Sequence, residues 1–160
     1  MKCTDQDLAN LRRAIAQSRL ARRHGDKPYG AVLVSAAGEV LYEARNTQMT
    51  EHDVTGHAEL NLLREASRRL GVSALRGCTV YASGEPCPMC AGAVYWSGAT
   101  RVVFALDVAT MNRLDPDDAD DTLAGCRTVL AHGKRVIEVH GPLLEAEAVA
   151  AFFDRYYPTP

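Results

Sequence analysis

Apolar residues recur along this chain at two spacings, and the switches between them mark out its elements. Over 5–24, Leu8, Leu11, Ile15 and Leu20 stand among alanine and arginine at roughly helical intervals. With Thr4 or Asp5 as cap, that pattern predicts an opening amphipathic helix. GAVLVSAAGEVLYEARN then reads as two strands, 30–35 and 39–45, joined at Ala36–Gly38 with the spacing of a hairpin. The unbroken run AVLV calls for burial on both faces of its strand.

After a polar loop over 46–55, HAELNLLREASRRLG returns to the helical period through Ala58, Leu62, Leu63, Ala66 and Leu70, with Gly71 as its stop. CTVYAS (78–83) is the next strand, and GEPCPMCAGAVYWSG turns into a helix with Pro86 and Pro88 near its first turn. RVVFAL (101–106) is a further strand, so strands and helices alternate as in βαβ crossovers with parallel pairing. Residues 107–121 end in an acidic loop, 122–130 read as helix, RVIEV (135–139) as a last strand and LLEAEAVAAFFDRYY as a last helix. No repeat, linker or low-complexity run divides the chain, so residues 1–160 are expected to form a single domain.

Composition narrows the function classes. Eighteen basic residues against 20 acidic ones leave a net charge of −2, which gives no global field for a polyanion such as nucleic acid. The five arginines of 12–23 read as a solvated helix face. No apolar run approaches membrane-spanning length and the first residues lack a signal-peptide core, so a cytoplasmic protein without membrane attachment is expected. Five cysteines, an odd number without a secretion signal, argue against a disulfide framework and leave reduced thiols for metal.

The chemistry is concentrated in His57-Ala58-Glu59 and in Pro86-Cys87-Pro88-Met89-Cys90. One imidazole and two thiolates suit tetrahedral zinc, and three protein ligands leave a fourth position for water, the mark of a catalytic rather than a structural site. Cys87 and Cys90, three residues apart in a first helical turn, project from one face, while His57 comes from another helix start. Two helix N-termini directed at one ion favour thiolate over thiol. Glu59, two residues past His57, points to another side of its helix start, where it would shuttle protons for the attacking water rather than bind metal. A lone CxxC also serves redox pairs and zinc knuckles, and Cys78 or Cys126 would be the fourth ligand of a structural site. Neither of those uses needs Glu59.

Together the fragments form the H-x-E…P-C-x-x-C signature of zinc deaminases, in order and in helix-start contexts. From about residue 5 to 120 the chain resembles the cytidine deaminase-like superfamily, and its small bacterial guanine deaminases more than other branches. PYGAVLV is similar to the family's PFGAV strand, HAE to its metal and acid segment, and GEPCPMCAGAVYW to its EPCPMC-x-GA-x-YW helix. The resemblance implies a three-layer α/β/α fold around a central five-stranded mixed sheet. It implies one zinc per chain on His57, Cys87 and Cys90, with Glu59 as catalytic acid and base.

It further implies that a nucleobase or nucleoside loses an exocyclic amine as ammonia. Asn46, eleven residues before His57, falls at the asparagine that hydrogen-bonds the base, with Ala58 beside it; alternatively Asn46 only starts a turn after a strand. Asp118 falls where guanine deaminases place a carboxylate for the purine NH edge, although the segment reads Asp115-Pro116-Asp117-Asp118 without the Gly-Phe of that branch. Tyr29, Trp96 and the Phe152–Tyr157 segment offer rings for stacking, and the resemblance implies a homodimer in which the tail carrying Tyr157 closes over the partner's site. Other substrates within the superfamily are cytosine, cytidine, an amino-triazine and a tRNA adenosine, whose enzymes share the EPC-x-MCAGA segment of 85–93. A catalytically silent zinc scaffold would have no use for Glu59.

Overall fold

The computed structural model describes residues 3–116 and 122–153. Five strands form one sheet in the order β2-β1-β3-β4-β5, where β1 is Gly30–Val34, β2 Val40–Arg45, β3 Thr79–Gly84, β4 Arg101–Leu106 and β5 Glu138–His140. β1 pairs antiparallel with β2 and β3, and β3-β4-β5 run parallel. The sheet is therefore mixed, as expected.

Alternation along the strands feeds two cores, which makes the third layer. Leu33, Val80, Ala82, Val102 and Phe104 pack with Leu62, Leu63 and Val94 from α2 (Ala58–Leu70) and α3 (Pro88–Ser97). Val32, Val34, Tyr81, Val103 and Ala105 pack on the other face with Leu11 and Ile15 of α1 (Asp5–Arg23). Close packing of α1 on β1 needs Gly30, because a Cβ there would meet the Ala14 carbonyl oxygen at 2.3 Å.

Thr4 caps α1 in a reciprocal capping box with Asp7. The buried stripe of α1 differs from the expected one. Asn10, Ala14, Ser18 and Ala21 carry it with Leu11 and Ile15, while Leu20 is 36% exposed, because small and polar side chains let the helix approach the sheet. Leu70, expected inside, is exposed in the last turn of α2 before Gly71 ends it at φ 83°.

Three departures lie in the second half. Val108–Leu114 forms a short helix, α4, where only a route to an acidic loop was expected; Asp107 caps it by accepting the Thr110 N–H at 2.7 Å. α5 is confined to Cys126–Leu130, and β5 starts three residues later than expected. The cause of the second shift is Arg135, whose guanidinium turns back to the Tyr95 carbonyl oxygen and sits 4.5 Å over the Tyr95 ring, taking 135–136 out of the sheet. α6 covers Glu145–Phe152, starting two residues later than expected and capped by Phe153, and residues 154–157 of the expected last helix lie outside the described residues. Among the described residues no helix is long and apolar enough to cross a membrane.

Candidate active site

His57 and Cys87 are the N-caps of α2 and α3. Both have extended backbone, and neither side chain caps its own helix, so both are available to point elsewhere. Pro88 occupies the first helical position of α3, where its missing N–H costs nothing, and Cys90 follows in the same turn. His57 Nδ1 lies 3.6 Å from Cys87 Sγ, and one donor atom from each of His57, Cys87 and Cys90 falls within 4.8 Å of the others.

The electrostatics suit a cation. The Cys90 thiol beside it holds Cys87 down to about 4, with further help from His57, so one thiolate is present at neutral pH. His57 is raised, first by the Cys87 sulfur. Cys90 is fully buried and pushed well above the ordinary thiol value by donating to Cys87 and by burial. A buried thiol, thiolate and imidazole sharing protons this way form a nitrogen and sulfur set that fits zinc.

Glu59, in the first turn of α2, is 6% exposed and stands outside that set of mutually close donors. Burial raises its carboxyl group to about 7. It lines a cavity of about 50 Å³ with Tyr29, Asn46, His57, Ala58, Gly84, Glu85, Cys87 and Met111. A wider cavity of about 330 Å³ shares Tyr29, His57, Glu85, Cys87 and Met111 and adds Lys27, Gln48, Met89 and Asn112. Glu59 thus lines the smaller part of a recess whose walls include His57 and Cys87.

Of the residues expected to touch a base, Tyr29, Asn46 and Ala58 line the smaller cavity. Asn46 is wholly buried. It starts a turn, accepting the Gln48 N–H at 3.0 Å, and it reaches the cavity wall, with its Nδ2 donating to Gln48 Oε1 at 2.8 Å. Trp96, expected to offer a ring for stacking, is 85% exposed, lines neither cavity and meets the Tyr95 ring edge-on. Six residues beyond Cys90 is about 240° around a helix, which turns Trp96 outward while Val94 stays in the core. Asp118 and Tyr157 lie outside the described residues.

Glu85, Met111, Lys27 and Gln48 were not singled out in the sequence. Glu85 stands within the cysteine motif itself, and its carboxylate accepts the Val108 N–H at 3.3 Å and the Cys126 thiol at 3.6 Å, which ties α4 and α5 to the ligand turn. Cys126 and Cys78 are buried thiols raised by desolvation, and neither joins the donor set found among the described residues.

Residues 4–106, well over half of the chain, match the cytidine and deoxycytidylate deaminase zinc-binding region. The chain belongs to this family of zinc-binding deaminases. It is 36% identical to a probable cytosine deaminase of Schizosaccharomyces pombe over 151 residues, 91% of this chain and 90% of that protein. It is 42% identical to the guanine deaminase of Bacillus subtilis over 80 residues, which span about half of each chain (50% and 51%). A solved structure from work on A-to-I editing by tRNA:A34 deaminases superposes with a TM-score of 0.73 at 26% identity, covering 90% of this chain and 99% of that one. Membership makes the chain a hydrolytic deaminase acting on C–N bonds, and the donor set of His57, Cys87 and Cys90 is where such a family would carry its zinc.

Proposed function

We propose that this deaminase acts on a free nucleobase, with guanine as first substrate, one zinc per chain on His57, Cys87 and Cys90, and Glu59 as the proton carrier. The observation that carries this reading is the buried Glu59 carboxyl group in the wall of a small cavity beside three metal-type donors. Zinc bound there supplies Lewis acidity, which makes water nucleophilic near pH 7. Glu59 accepts one proton from water as its oxygen bonds to the ring carbon bearing the amine and passes it to the ring nitrogen, then takes the proton of the new C–OH group and passes it to the amine. The C–N bond breaks and ammonia leaves. Tyr29 and Met111 offer apolar surface to the ring, and Asn46 presents its amide to a polar edge.

Cytosine is the second reading, favoured by likeness to a probable cytosine deaminase over 91% of this chain. An RNA substrate has less support. α1 carries the arginine cluster on the face of the sheet opposite α2 and α3, where Arg12 pairs with Glu147 and Arg13 with Glu43.

Ammonia release from guanine, cytosine, adenine, cytidine, an amino-triazine and an RNA hairpin tests the proposal, with Glu59→Ala as control. Turnover of guanine that Glu59→Ala abolishes supports it, and turnover of cytosine alone selects the second reading. Activity confined to the hairpin, or silence on every ring, overturns it.

A further inference from the structure

Asp26 is a buried carboxylate that the catalytic reading leaves without a task. Gly25, at φ 88°, turns the chain out of α1, with the Gly25 N–H on the Arg22 carbonyl and the Asp26 N–H on the Ala21 carbonyl, each at 3.0 Å. These are the two bonds of a Schellman motif, in which the residue after the glycine commonly packs an apolar side chain on the helix. Here that residue is an aspartate only 6% exposed. Its Oδ1 accepts the Met49 and Thr50 N–H groups, each at 2.9 Å, and its Oδ2 accepts the Thr50 hydroxyl at 2.8 Å.

All three donors lie in the 46–56 loop, so one side chain joins two segments that both wall the recess: Lys27 and Tyr29 just after it, Asn46 and Gln48 on the loop. A separate anchor holds the base of the loop. Asn61 Nδ2 donates to the Arg45 carbonyl at 3.0 Å, to Thr47 Oγ1 at 2.9 Å and to the Gly56 carbonyl at 3.3 Å, while the Thr47 N–H reaches the Gly56 carbonyl at 2.8 Å. His57 follows directly on that base, so the metal donors do not depend on Asp26.

We infer that Asp26 is a positioning residue for substrate affinity: it holds the outer half of the 46–56 loop, and Gln48 with it, in the wall of the recess. This rests on reading the recess as the site of the base. A loop that leaves the wall lowers the fraction of protein competent to bind, and the apparent affinity falls by that fraction. The metal donors and Glu59 are left in place, so the change falls on KM.

The test uses the zinc-loaded full chain with guanine or cytosine, whichever it turns over. Asp26→Ala is expected to raise KM by about tenfold, with kcat within about twofold and zinc content unchanged. Asp26→Asn, whose Oδ1 accepts the same two N–H groups, restores KM. Hydrogen exchange at the Met49 and Thr50 amides is expected to accelerate in Asp26→Ala while that at Asn61 does not. An unchanged KM in Asp26→Ala overturns the inference, as does a loss of kcat accompanied by loss of zinc. Should Asp26→Ala fail to fold, Thr50→Val, which removes only the hydroxyl contact, must raise KM about twofold, and no change overturns the inference equally. Amide exchange is read without substrate, so a wild-type chain inert on every base defeats the reading of the site while leaving the loop clamp separately measured.

Discussion

Glu59 sits where an ionised carboxylate is expensive, and burial holds it at about 7 rather than near 4.5. A purely structural residue at this position would be better apolar, which favours the proposed role of the carboxyl group in proton transfer. Glu59→Gln preserves shape and hydrogen bonding but cannot accept a proton. It is expected to lower kcat by about 10² to 10⁴. Zinc content, measured on the same samples by atomic spectroscopy, should stay at the wild-type value. Loss of zinc together with activity would make Glu59 a part of the metal site instead. Glu59 and the three donors were legible in the sequence because their spacing is local: an offset of two residues at one helix start and of three at another fixes the relative placement within each pair. Met111 and Gln48 were not, since a methionine in a seven-residue helix and a glutamine in a loop acquire a role only from what packs beside them. Trp96 shows the converse, an aromatic within the right motif on the wrong side of the helix.

At the scale of elements, a buried polar node helps fasten α1 to the sheet. Asp7 Oδ1 accepts from Arg101 at 2.5 Å and from the Tyr81 hydroxyl at 2.6 Å, Asp7 Oδ2 accepts from Arg101 at 3.0 Å, and the Asp7 and Arg101 side chains are 5% and 17% exposed. Arg101 above all holds the Asp7 carboxyl well below the ordinary 3.8, and burial with the bond to Asp7 pushes Tyr81 up to about 12. Because the folded value of Asp7 is depressed, its stabilisation is complete above the ordinary pKa and is lost as the pH falls from there. Asp7→Asn, which leaves Arg101 without its countercharge, is expected to cost about 3 kcal/mol at pH 7. Its Tm should then fall less than that of the wild type between pH 4 and pH 2; parallel acid limbs in thermal melts would count against the node. The sequence revealed the strands and helices that this node connects, since AVLV, RVVFAL and the 58–70 period are each set by near neighbours in the chain. It did not reveal the node, which joins residues 74 and 94 positions apart. For the same reason α4 was missed although Asp107 signals its cap, and β5 was misplaced because Arg135 answers to Tyr95 rather than to its strand neighbours.

At the scale of the molecule, charge separates the two kinds of substrate this family fold can serve. Basic and acidic residues nearly balance at 18 against 20, and the arginines of α1 meet Glu147 of α6 and Glu43 of β2 on the face away from α2 and α3. A neutral base entering a recess of about 330 Å³ has no charge to be steered, so kcat/KM on a base is expected to change by less than about twofold between 50 and 500 mM salt. An RNA loop would behave otherwise. Six to ten phosphate contacts would weaken binding by about 10³ to 10⁵ between 50 and 200 mM, because each contact releases counterions whose return becomes easier as salt rises. Reversing Arg12 and Arg13 to glutamate gives the same contrast from the protein side. With a free base the double variant should retain kcat/KM and lose only the small stabilisation of two exposed ion pairs. A steep salt dependence, or a large loss of kcat/KM in that variant, would place the substrate on the α1 face and reassign the deaminase to nucleic acid.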